Sequence, residues 1–99
     1  MSIGFPKFQY MRSKTHLRRV AELPCQICGA GAPSQASHSN QAIHGKGRGI
    51  KASDEFTAAL CPSCHYEIDQ GNKLSREEKL AWWEEAFLST QKALNAQSR

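Results

Sequence analysis

Apolar residues recur at helical spacing in two stretches of the chain. The first follows Ser13, whose hydroxyl can cap a helix; Leu17, Val20 and Ala21 then fall at i, i+3 and i+4 and make one apolar stripe. Lys14, Arg18 and Arg19 face outward, and His16 reads as a surface residue of the same helix. Pro24 ends it. The second stretch opens with the capping box Ser75-Arg76-Glu77-Glu78, after which Leu80, Trp83, Phe87 and Leu94 line one face of a long amphipathic helix over about 75–96, with Trp82 beside the stripe. Between them Phe56–Leu60 predicts a short strand. Residues 29–53 are rich in Gly, Ser, Ala and Asn, which predicts a loop or irregular hairpin arranged around something rather than a packing element. Residues 1–12 carry no periodicity and predict an extended arm ahead of a single domain over 13–99.

Composition makes that domain hard to stabilise on packing alone. The chain has 99 residues, and 39% of them are apolar, so a metal or disulfide staple is expected. No secretory leader and no apolar run long enough for a membrane is visible, so a cytoplasmic setting with reduced thiols is expected. Two Cys-x-x-Cys pairs then favour zinc over disulfides, redox dithiols being the rival reading. Cys25-Gln26-Ile27-Cys28-Gly29 forms a tight turn, and Cys61-Pro-Ser-Cys64 runs directly into a helix that Gly71 terminates. One knuckle on a turn and one at a helix start is the arrangement of treble-clef domains, here with a core of about residues 24–71. A closed shell of Cys25, Cys28, Cys61 and Cys64 would hold structural zinc and leave no position for water.

Charge narrows the partner. Residues 1–51 carry Lys7, Arg12, Lys14, Arg18, Arg19, Lys46, Arg48 and Lys51 against Glu22 alone, whereas residues 52–99 carry an acidic excess. A basic front half suits a polyanion, although solvated Lys and Arg give the same count. In His44-Gly-Lys-Gly-Arg-Gly-Ile-Lys51 the alternating glycines let backbone approach a phosphate chain, and Lys46, Arg48 and Lys51 add positive charge. The spacing is not that of a nucleotide-binding loop, which argues against ATP or GTP.

The remaining chemistry lies in histidines beside the staple. His65 follows Cys64 at the helix start, and Asp69 lies one turn later on the same face, so imidazole and carboxylate are competent ligands for a divalent cation. A helix-start histidine with a solvent-facing aspartate is the plainer alternative. His38, in Ala36-Ser37-His38-Ser39-Asn40, lies between the knuckles, so closing them brings it toward His65. A histidine base near a metal is the chemistry of phosphodiester hydrolysis.

Cys-x-x-Cys, Ala-Ser-His38-Ser-Asn, Gly-Lys-Gly-Arg-Gly-Ile-Lys-Ala-Ser-Asp54 and Ala-Leu-Cys-x-x-Cys-His65 with Asp69, taken together, resemble the HNH (ββα-metal) nucleases, more narrowly small phage and prophage proteins of the recombination-nuclease kind. The resemblance covers roughly residues 13–71. It implies a small α+β fold in which a two-stranded hairpin and a helix hold one divalent metal (Mg²⁺, Mn²⁺ or a second Zn²⁺), grafted onto the zinc knuckles between a basic N-terminal helix and a long C-terminal one. His38 would be the general base, His65 and Asp69 the metal ligands, and Asp54, with Thr57 as the other candidate, would stand where the family uses an asparagine to orient the base. Ser37 departs from the pattern, since many members place a metal ligand immediately before the base; His44 is the residue available to complete the shell if its loop folds back. The expected function is a DNA endonuclease or nickase in the cytoplasm of a bacterial host. DNA, gripped by Lys14, Arg18, Arg19, His44, Lys46, Arg48 and Lys51, is the expected partner, with phage or host recombination proteins as others. A non-catalytic nucleic-acid-binding zinc module and an adaptor acting through the Trp82/Trp83 helix are the rival readings.

Overall fold

The computed structural model describes residues 9–97, so most of the expected N-terminal arm lies outside the described residues. The chain runs as α1 (Lys14–Ala21), β1 (Gln35–His38), β2 (Thr57–Leu60), α2 (Pro62–Asp69) and α3 (Arg76–Gln97), with a single 3₁₀ turn at Ala42–His44. This is a small α+β fold. Ser13 caps α1, its hydroxyl accepting from the His16 N–H at 3.1 Å. At the start of α3, Ser75 and Glu78 exchange side-chain to backbone hydrogen bonds of 2.8 and 3.1 Å, which is the reciprocal pattern of a capping box. No helix among the described residues is long and apolar enough to cross a membrane.

β1 and β2 pair antiparallel, with Gln35 opposite Leu60 and His38 opposite Thr57. All four residues of β2 are buried because both faces of this two-stranded sheet are covered. Strand alternation sends Ala58 and Leu60 to one face, where they meet the cysteines, Ile68, Trp83 and Ala86, and Ala59 to the other, against Val20, Leu23 and Leu94. The small alanines let the helices approach closely. The outer edge of β2 is closed from outside: the Ala59 N–H donates to Thr90 Oγ1 at 3.0 Å and the Ala59 carbonyl accepts from the Gln26 N–H at 2.9 Å, while on β1 the Ser37 carbonyl accepts from Trp83 Nε1 at 3.1 Å. α3 and the first knuckle thus take the place of a third strand beside β2.

The structure corrects three expectations. Residues 29–53 do contribute to the core: they contain β1, and Ser37, Ser39, Ala52 and Ser53 are fully buried there. Small polar side chains fit between close-packed strands where periodicity in apolar residues gives no signal. The inner face of α3 is Trp83, Ala86, Thr90 and Leu94, whereas Leu80 and Trp82 are exposed. His16 is half-buried rather than on the surface. Two glycines are fixed by geometry. Gly29 takes φ +78° in the first knuckle, and at Gly71 a Cβ would fall 2.8 Å from the Glu67 Cα just past α2.

The α3 to β2 bond gives a test. Thr90→Val keeps the shape of the side chain but strands the buried Ala59 N–H, so a loss of about 1–3 kcal/mol is expected by chemical denaturation. Leu88→Ala, on the exposed side of the same helix, should stay within about 0.5 kcal/mol of the native protein.

Candidate functional site

The two knuckles bring four sulfurs together. The Sγ atoms of Cys25, Cys28, Cys61 and Cys64 all lie within 4.8 Å of one another, and among the described residues this is the group of three or more ligating side chains able to hold a metal. Cys28 and Cys61 approach to 3.6 Å, across the knuckles. Sulfurs sharing a tetrahedral zinc at about 2.3 Å stand about 3.8 Å apart, whereas a disulfide would need about 2.05 Å. The cluster is therefore consistent with a structural metal such as zinc. Backbone N–H groups already point at the sulfurs: Ile27 and Cys28 donate to Cys25 Sγ at 3.4 and 3.5 Å, and Cys64 donates to Cys61 Sγ at 3.4 Å. Burial opposes ionisation of Cys25, but these backbone donors outweigh it and bring its thiol down to about 6. Cys64 is pushed up by burial and by the neighbouring sulfurs.

The second knuckle is also the start of α2, with Cys61 as its N-cap. His65 therefore emerges from the first turn of a helix anchored at the cluster. Its Nε2 lies 3.0 Å from Asp69 Oδ2, and its Nδ1 lies 2.8 Å from Gln35 Oε1 on β1. Asn40 Nδ2 donates to the other Asp69 oxygen at 3.1 Å. Burial raises the Asp69 carboxyl, but the His65 and Asn40 hydrogen bonds and the charges of His65 and Lys46 bring it below its ordinary value. The two side chains thus contact each other directly at hydrogen-bond distance, with an imidazole nitrogen and a carboxylate oxygen side by side on one face of α2.

His38, the last residue of β1, opens into the same cleft, a cavity of about 220 Å³ lined by His38, Asn40, Lys46, Lys51, His65 and Asp69. Its Nε2 is 2.8 Å from Asp54 Oδ1. Asp54 is buried and is the centre of a small network: Oδ2 accepts from the Ser13 N–H at 2.8 Å, and Arg12 lies 3.3 Å from Oδ1. Burial alone would raise this carboxyl, but the His38 and Ser13 hydrogen bonds and the charges of His38 and Arg12 hold it below the usual carboxylate range. An ionised Asp54 can accept a hydrogen bond from Nε2–H of His38, an arrangement in which Nδ1 is the ring nitrogen turned away from the carboxylate. Thr57, the other candidate for this position, spends its hydroxyl on the Asp54 carbonyl at 2.9 Å.

The basic residues divide. Lys46 and Lys51 line the cleft, Arg48 is exposed at the tip of the turn joining them, and Lys14 and Arg18 are exposed on α1. Arg19 is half-buried and donates to the Leu94 carbonyl at 3.1 Å. His44 sits apart from the cleft lining: its ring stacks on Phe56 at 4.2 Å and its Nδ1 meets Ser39 Oγ at 2.7 Å. Ser37 is wholly buried, and the cleft lining passes it by. The sequence reading missed Arg12, which donates to the Ala52 and Lys51 carbonyls and pins the described end of the arm beneath the cleft loop. Gln35 and Asn40, the partners of the His65–Asp69 pair, were missed as well; their only signal was an amide at the start of the strand that carries His38 and another two residues past its end.

A family described as "Protein of unknown function (DUF968)" matches residues 1–94. The chain belongs to that family. The DUF968 match spans both knuckles, the cleft and nearly all of α3, so cluster and cleft belong to a single family unit. No curated protein and no solved structure matches the chain.

Two outcomes are expected of this DUF968 protein. It should carry one tightly held zinc per chain, and chelation should abolish the helical circular dichroism signal; a spectrum unchanged after the metal is stripped would contradict a stapling role. Asp54→Asn, which removes the charge that Arg12, His38 and the Ser13 N–H converge on, should cost about 1–3 kcal/mol in denaturant titrations of the zinc-loaded chain.

Proposed function

We propose that this protein is a metal-dependent DNA endonuclease or nickase of the HNH type, with its ββα element built from β1, β2 and α2 on a zinc-stapled, treble-clef-like base. The observation that carries the reading is the shared cleft: a base candidate at the end of β1 meets a ligand pair on α2, His65 in its first turn and Asp69 at its end, beside Lys46 and Lys51. Phage origin and a role in recombination follow the sequence resemblance.

Each residue has a distinct task. Asp54 holds His38 by Nε2, so Nδ1 takes a proton from water as the water oxygen attacks phosphorus. The bond from phosphorus to the leaving oxygen breaks in line, and that oxygen takes a proton from solvent. A divalent ion held by His65 and Asp69 would stabilise charge on the phosphate and the leaving oxygen. Asn40 and Gln35 fix the orientation of those two ligands. Lys46 and Lys51 draw in the phosphate backbone, so binding should be strongly salt-dependent and weakly sequence-specific.

One observation favours a second reading, a zinc module that binds nucleic acid without cutting it. Ser37 is buried where many HNH enzymes place a ligand, which leaves the proposed metal site with two protein ligands. Supercoiled plasmid incubated with the protein and Mg²⁺ or Mn²⁺ separates the two. Nicked or linear product is expected, with His38→Ala slowing its formation roughly 100-fold or more. DNA binding that survives His38→Ala and His65→Ala, with no divalent-dependent cleavage, would instead establish the non-catalytic module.

A further inference from the structure

A second and larger cavity, of about 310 Å³, adjoins the cleft, and Asn40 forms part of the wall of both. Its character differs. Ile68, Trp83 and Leu80 give it an apolar floor, Asn40 and Gln41 contribute amides, and Arg76 stands on its rim. The volume reaches the range of small-ligand sites, and an apolar surface with a few convergent polar groups is their usual composition.

The polar groups are arranged with a definite pattern. Asn40 Nδ2 donates to Asp69 and Gln41 Nε2 donates to Glu84 Oε1 at 3.1 Å, so both amides keep a carbonyl oxygen free to accept. Arg76, also in the lining, supplies donors, and Lys79 already gives one of its protons to the Gly71 carbonyl. Amide acceptors, cationic donors and an apolar wall whose exposed part is Leu80 are the groups that the edges and face of a heterocyclic base can use. A phosphate chain alone has no use for the floor, and Glu77 and Glu78 on the same turn of α3 weaken any purely electrostatic grip.

We propose that this cavity is a nucleobase subsite, which takes the unpaired base of a nucleotide next to the phosphodiester held in the His38 cleft. The inference rests on the nucleic-acid reading above and names its substrate class. A base stacked within a duplex cannot enter, so the substrate is single-stranded, or locally unpaired at a branch, at an end or where supercoiling opens the duplex. Asn40 links the two sites, since it orients Asp69 with one end of its amide and meets the base with the other.

The test compares binding of zinc-loaded protein to a fluorescent single-stranded oligonucleotide and to the same sequence fully paired, in low salt without added divalent ion. The native protein should favour the single strand. Leu80→Asp and Arg76→Ala, both at exposed positions of α3, should weaken single-strand binding roughly tenfold or more. Leu88→Asp, on the far side of the helix, should not. Equal affinity for single strand and duplex, or single-strand binding untouched by Leu80→Asp, would overturn the subsite. Plasmid cleavage run in parallel keeps the two ideas apart: cleavage that needs His38 together with single-strand binding indifferent to Leu80 retains the nuclease and removes the subsite. Failure to bind any DNA would remove both.

Discussion

The convergence of two cysteine knuckles on one point is the constraint on which the rest of this structure depends. Fewer than half the residues are apolar, and the sheet has two strands, so neither core size nor sheet extent can hold the chain. The cluster fixes the first knuckle against the edge of β2, through the bond from the Gln26 N–H to the Ala59 carbonyl, and makes the second knuckle the N-cap of α2. Everything between the knuckles becomes a closed loop. His38 and His65, well separated in sequence, then have little choice but to share a cleft.

A second layer of organisation is polar. Asp54 ties together the described end of the arm through Arg12, the start of α1 through the Ser13 N–H, and the ring of His38. The same carboxylate that fixes α1 to the loop therefore also holds the ring of the base candidate, which couples local stability to the site. On the other side of the cleft, Gln35 and Asn40 hold His65 and Asp69 from β1 and the segment after it. The site is built on strand and helix ends, with its loop supplying only Lys46 and Lys51.

The elements with strong local signatures were legible in the sequence. Ser13 and Ser75 cap as their spacing implies, Phe56–Leu60 contains β2, and Cys61–Cys64 leads straight into α2. The four-cysteine cluster followed from spacing and chemistry alone. What periodicity could not reveal was β1, because Gln-Ala-Ser-His carries almost no hydrophobic signal; it is a strand because β2, α1 and Trp83 surround it. The same holds for Thr90, whose value lies in one hydrogen bond to a strand edge distant in sequence. Leu80 was misplaced for the converse reason: it continues the apolar stripe of α3 past the point where the sheet ends, beside a cavity rather than a core. His44 belonged by sequence to the basic glycine loop, but its neighbours Phe56 and Trp83 are visible only in three dimensions.

In the proposed nuclease an inert cluster arranges the reactive side chains, and their chemistry would depend on a divalent ion entering between His65 and Asp69. The most direct measurement is a manganese titration of the zinc-loaded, isotope-labelled protein followed by nuclear magnetic resonance. Paramagnetic broadening at low Mn²⁺ should appear first at His65 and Asp69, then at Asn40 and His38, and should vanish in His65→Ala. Broadening spread evenly over the acidic surface of α3, or absent from the cleft, would contradict it.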